Sequence, residues 1–155
     1  MDKLFFDESL ILLDLKATTK EEVLSTMGQH LLDLGLVKET FISAILRRES
    51  EFPTGLPTEG IPVAIPHTDS EHVIRNAISV AVLKRSVPFV IMGTENETVP
   101  VKIIFLLALK NAETQLNFLQ KLVSLLKEQE ILRNIANEKN KKKIRKILVK
   151  KLGLF

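Results

Sequence analysis

The sequence contains no cysteine. That absence excludes disulfides, thiol catalysis and cysteine zinc sites together. Long apolar runs are also missing. The longest, Ile103–Leu109, is far too short to span a bilayer. Residues Met1–Glu8 lack a basic region followed by a long apolar stretch, so no signal peptide is expected and the cytoplasm is the expected location. Several catalytic signatures are absent as well. There is no Gly-x-Ser-x-Gly elbow, no His-Glu-x-x-His, no Gly-x-x-x-x-Gly-Lys-Ser/Thr loop and no Gly-x-Gly-x-x-Gly. Serine hydrolase, zinc protease and nucleotide-binding readings therefore have no support.

What is present suits a folded domain. The chain has 155 residues, 45% apolar and 26% charged, enough for one domain (1–155) with a sizeable core. The net charge is +3, but its sign is uneven. Lys139–Lys151 holds eight of the 22 basic residues and no acid. Without that stretch, 14 basic residues face 19 acidic ones, a charge of about −5. The basic excess thus belongs to a tail helix and is no argument for nucleic acid binding by the body.

Leu10–Leu15 reads as a first strand. Thr19-Lys20-Glu21-Glu22 is a capping box, in which Thr19 caps the Glu22 amide and Glu22 reaches back. The helix behind it carries Val23, Leu24, Met27, Leu31, Leu32 and Leu34 on a broad apolar face, and Gly35 stops it. A second helix is expected over Glu39–Arg48, with Phe41, Ile42, Ile45 and Leu46 inward. Val63–Ile65, Ala77–Leu83, Pro88–Met92 and Val101–Leu109 read as strands, the last as one buried on both faces. Thr68–Asn76 reads as a polar connection and Gly93–Thr98 as a polar turn. Helices are expected over Glu113–Lys127, with Leu116, Leu119, Leu122, Val123 and Leu126 at helical spacing, then Glu130–Asn137 and Lys141–Leu152. Alternating elements with helices gathered at both ends imply an α/β sandwich around a central mixed sheet.

One stretch departs from ordinary patterning. Phe52–Asp69 holds four of the six prolines and two of the six glycines. Such density sets a rigid, irregular loop, because proline fixes φ and glycine supplies φ > 0. Pro66 ends the short strand and His67 follows at its carboxyl end, where chemistry collects in α/β proteins. The other histidines are plainer: His30 reads as a surface or boundary residue of a helix, and His72 as a solvated loop residue. With no partner nucleophile and no ligand cluster, His67 is left as its own nucleophile or as a structural residue. A neutral imidazole can accept a phosphoryl group near neutral pH. Such a site needs cationic donors, and arginine suits them by its planar fork. Arg47 and Arg48 lie just ahead of the loop, although a solvated helix end also favours basic residues.

The block Arg48-Glu49-Ser50-Glu51-Phe52-Pro53-Thr54-Gly55-Leu56, then Glu59, then Val63-Ala64-Ile65-Pro66-His67 resembles the phosphorylation-site region of fructose/mannitol-type enzyme IIA domains. These belong to the bacterial phosphoenolpyruvate-dependent sugar phosphotransferase system. The Arg-Glu-x-Glu-Phe-Pro-Thr-Gly form is most similar to the galactitol-specific branch, and Gln115-Leu116-x-x-Leu119 continues the resemblance. It implies helices packed on both faces of a mixed sheet. It implies that His67 is phosphorylated, as tele-phosphohistidine, by the phosphocarrier HPr and hands the group to a IIB component. A membrane IIC component would then be an indirect partner. Arg48 matches the family's site arginine and Glu59 a site-lining glutamate. No cofactor and no metal are implied. Mannitol-type members carry a second histidine near the position of Thr114, so a two-histidine site is not expected. Two other readings compete. One is a regulatory, nitrogen-type IIA that feeds no sugar. The other is a nucleic-acid module using Lys139–Lys151, against which stands the lack of stacking aromatics beyond Phe155. A membrane-surface role for the same helix is a further thought.

Overall fold

A computed structural model describes residues 4–154, apart from the side chains of Ala112 and Thr114. Phe155, the aromatic beside the basic run, lies outside the described residues. The chain opens with β1 (Ile11–Leu15), α1 (Lys20–Asp33) and α2 (Phe41–Glu51). The strands β2 (Gly55–Leu56), β3 (Val63–Ala64), β4 (Ala77–Val90) and β5 (Thr98–Ala108) follow. The helices α3 (Ala112–Leu126), α4 (Gln129–Asn137) and α5 (Lys141–Leu152) complete it. The five strands form one mixed sheet in the order β1-β4-β5-β3-β2. The β1–β4 and β3–β5 pairs are parallel; β4–β5 and β2–β3 are antiparallel. Every residue of Ala77–Leu83 and of Ile103–Ala108 is buried. Successive side chains of a strand point to opposite faces, so both faces of the sheet centre are covered. The expected α/β architecture is therefore the observed one.

Most expected elements lie within a few residues of their places. Thr19 accepts from the Glu22 amide at 3.1 Å, as a cap should. The reciprocal bond differs, because the Glu22 carboxylate accepts from the Thr18 hydroxyl at 2.8 Å. Gly35 ends α1 with φ +73, where a side chain would be strained. Leu34, expected on the inner face of α1, is 42% exposed. The two strands read as Ala77–Leu83 and Pro88–Met92 are one, β4, kept continuous by a register shift between Val82 and Val87. Pro88 lies opposite Pro100, beyond the stretches that β1 and β3 pair with. There the missing N–H groups cost no ladder bond. The connection after His67 contains a 3-10 turn, Ser70–His72. Among the described residues no helix is long and apolar enough to cross a membrane.

Candidate functional site

The proline-rich loop is pinned at several points. Gly55 must be glycine, since a Cβ there would sit 2.6 Å from the Val90 carbonyl oxygen. The Met92 amide in turn donates to the Gly55 carbonyl at 2.8 Å. The Thr58 hydroxyl donates to the Ile61 carbonyl at 2.7 Å, and the Ile61 amide donates to Gln129 Oε1 at 3.1 Å, tying the loop to α4. Beyond β3, the Leu107 amide donates to the Pro66 carbonyl at 3.0 Å. Backbone hydrogen bonding to β5 thus runs up to the residue before His67.

His67 is half-buried, and its ring is fixed by one bond: Nδ1 lies 2.9 Å from the Ile65 carbonyl oxygen. A carbonyl only accepts, so Nδ1 carries the proton. In the neutral ring Nε2 then holds the free lone pair. Burial lowers the His67 pKa from its ordinary 6.5, the Ile65 bond opposes that shift, Arg48 adds to it and Asp69 opposes it. The net effect favours the neutral, nucleophilic ring.

Arg48 and His67 line one cleft of about 270 Å³, together with Asp69, Gln115, Leu116 and Leu119. The Arg48 guanidinium lies over the Phe52 ring, 4.5 Å from its centroid. A second hollow of about 430 Å³ adjoins His67, walled by Leu56, Ile65, Met92, Leu119 and Val123, with Glu59 also on its wall. The structure therefore brings His67 into one cleft with Arg48 and another with Glu59. Helix α3 supplies the apolar wall through a second stripe. Phe118, Leu122, Leu125 and Leu126 face the core, whereas Leu116 and Val123 are 59% and 45% exposed. A larger depression, about 710 Å³, lies among charged side chains of Asp7–Ser9 and α5 and contains no histidine. Among the described residues no group of three His, Asp or Glu could hold a metal.

The remaining candidates are placed apart. Arg47 is exposed and lines neither cleft. His30 Nε2 is bonded to the Ser9 carbonyl at 2.6 Å, which joins α1 to the turn before β1. His72 is no solvated loop residue: its Nδ1 meets the Thr40 hydroxyl at 2.8 Å, fastening the connection to the start of α2. The side chain of Thr114 lies outside the described residues. Sequence reasoning missed Glu49, which is 2% exposed. Its carboxylate accepts from the Thr54 amide at 2.8 Å and from the Thr54 hydroxyl at 2.7 Å. A signal was available, since Phe41, Ile45 and Glu49 recur every fourth residue on the buried face of α2.

The family described as "Phosphoenolpyruvate-dependent sugar phosphotransferase system, EIIA 2" matches residues 4–151. The chain belongs to this family. It is thus a phosphotransferase component, an EIIA, of a sugar phosphotransferase system. The galactitol-specific EIIA component of Escherichia coli (strain K12) is 32% identical over 116 residues, covering 75% of this chain and 77% of that protein. The mannitol-specific enzyme IIA component of Bacillus subtilis (strain 168) is 30% identical over 133 residues, 84% of this chain and 86% of that protein. Among solved structures, the E. coli mannitol IIA in complex with phosphorylated mannitol IIB superposes with a TM-score of 0.74 at 21% identity, covering 97% of this chain and 98% of that one. The EIIA family and its fold are those the loop residues implied.

Proposed function

We propose that this EIIA is a phosphocarrier in which His67 Nε2 accepts a phosphoryl group from phospho-HPr and passes it to a IIB component. The bond between His67 Nδ1 and the Ile65 carbonyl, at 2.9 Å, carries this reading. It leaves the lone pair on Nε2, the tele nitrogen, so no general base is needed to free a nucleophile. Nε2 forms the new bond to phosphorus. The phosphorus–donor bond breaks in line, and its electron pair leaves with the donor. The proton on Nδ1 stays in place, hydrogen-bonded to a neutral acceptor. The phosphorylated ring is then cationic, and that makes it a good leaving group in the second transfer.

Positioning and charge stabilisation supply most of the help in phosphoryl transfer. Arg48, on the wall of the same cleft, would hold the phosphoryl oxygens with its planar fork. The exposed apolar wall of Leu116, Leu119 and Val123 would seat partner proteins beside His67, with Glu59 at its margin. The relative of known structure was solved with a phosphorylated IIB, and a IIB is the partner inferred here. Galactitol or a related sugar is the inferred cargo of the system, on the likeness to the galactitol-specific component. Mass spectrometry after incubation with phosphoenolpyruvate, enzyme I and HPr tests the reading. One added phosphate is expected, and His67→Ala should abolish it. A His67→Ala protein that still gains the phosphate would overturn the assignment.

A further inference from the structure

Four hydrogen bonds, making three links in series, run from α2 to the imidazole. The Glu49 carboxylate accepts from the Thr54 amide at 2.8 Å and from the Thr54 hydroxyl at 2.7 Å. The Thr54 carbonyl accepts from the Ile65 amide at 3.3 Å. The Ile65 carbonyl accepts from His67 Nδ1 at 2.9 Å. The chain begins one residue after Arg48, on the same last turn of α2. Neighbouring helical residues point about 100° apart, so one turn can aim Arg48 at the cleft and Glu49 inward.

We infer that Glu49 is a positioning residue for the phosphoryl transfer, clamping α2 to the β2–β3 ladder so that Arg48 and the Nδ1-protonated His67 keep one relative geometry. This inference rests on the proposed role of His67.

A buried carboxylate is costly to keep, and burial raises the Glu49 pKa against the two Thr54 bonds. Lys20 and Glu21 act on that pKa in opposite directions, the first lowering it and the second raising it. The connection from Glu49 to the ring is geometric, by way of Thr54 and Ile65. Between α2 and Gly55, where the β2–β3 ladder begins, the loop has few other ties. Pro53 lacks an amide hydrogen, and the Phe52 amide is used to close the helix on the Arg48 carbonyl at 2.7 Å. Without Glu49 the Thr54 amide would have to find water inside a buried site, or the loop would shift to reach it. Either moves the carbonyl that orients His67.

The geometric and charge roles separate in Glu49→Gln. Its amide oxygen can still accept from the Thr54 amide, and its NH2 can donate to the hydroxyl oxygen once the hydroxyl rotates. Glu49→Ala removes both bonds, and Thr54→Val removes only the hydroxyl bond. Two readouts apply to each variant. One is the 15N spectrum of the His67 ring, which reports which nitrogen carries the proton without any partner protein. The other is the rate of phosphoryl acceptance from phospho-HPr. Glu49→Gln should keep the Nδ1–H tautomer and stay within about threefold of the parent rate. Glu49→Ala should populate the Nε2–H tautomer and lose about tenfold to a hundredfold, the cost of a small misplacement at a reacting centre. Thr54→Val should fall between. If Glu49→Ala does not fold, the Gln and Val variants still decide. Parent-like tautomer and rate in Thr54→Val and Glu49→Ala, or a Gln variant as slow as Ala with its tautomer unchanged, would overturn the inference. If His67 itself is not the acceptor, His67→Ala keeps the parent rate and the rate no longer reports on this ring, while the tautomer readout still tests the clamp.

Discussion

Removing the Arg48 guanidinium separates catalytic from structural roles most cleanly. Three effects of Arg48→Ala can be weighed in advance. The side chain lies over Phe52 at 4.5 Å, and Phe52 is 57% exposed. A cation–π contact at so open a site contributes about 0.5–1 kcal/mol. The backbone carbonyl of Arg48, which closes the helix on Phe52, is untouched by the substitution. Folding stability should therefore fall by no more than about 1 kcal/mol. Transfer should suffer far more. Loss of one preorganised donor to a developing anion costs on the order of 10²-fold in rate, about 2.7 kcal/mol. The third effect concerns His67. Arg48 helps to lower its pKa, so the pH midpoint of His67 should move upward in the variant. Arg48→Lys keeps the charge without the fork and should recover part of the rate. The assay is rapid-quench transfer of labelled phosphate from phospho-HPr, alongside thermal unfolding. Transfer within about threefold of the parent, with the His67 midpoint unmoved, would refute the role of Arg48.

Three further outcomes are expected. Val123→Asp places a charge on the exposed apolar wall beside His67. It should raise the HPr concentration needed for half-maximal transfer while leaving thermal stability nearly unchanged; an unaltered concentration dependence would remove that wall from the docking surface. Leu148→Ala empties a fully buried position of α5, and urea unfolding should show a loss of about 2–5 kcal/mol, with smaller losses arguing that α5 is loosely packed. Burial lowers the His67 pKa, so across the window just below 6.5 the unfolded chain binds more protons than the folded protein. The stability owed to His67 is then complete above 6.5 and is lost as pH falls through the lowered folded value. Stability curves of parent and His67→Gln should diverge in that window, and parallel curves would contradict the shift.

The reading of the sequence succeeded where chemistry and pattern coincide. Val101–Leu109 announced a strand buried on both sides because Ile103–Leu109 is apolar without a break, and Ile103–Ala108 of β5 is buried throughout. The loop around His67 was legible from proline and glycine, whose backbone limits act locally. Where tertiary context decides, the reading erred. Lys84–Ser86 and Pro88 looked like a break, yet β4 carries them through at a register shift, since its partner β5 bears Pro100 at the matching position. Leu116, Leu119 and Val123 shared one helical pattern with core residues, and the sequence cannot say that they line a cleft instead. His72 looked solvated because its bond to Thr40 spans a separation in sequence that no local pattern reports. Glu49 was hidden for a similar reason. Its meaning depends on Thr54 folding back across the end of α2.

The most direct test of the central claim is to locate the phosphoryl group on the ring. The chain, labelled with 15N in its histidines and phosphorylated by phospho-HPr, can be read by 31P and 15N NMR. Coupling of phosphorus to His67 Nε2, with the proton kept on Nδ1, is the expected result. Phosphorus on Nδ1 of His67, or on His30 or His72, would contradict it.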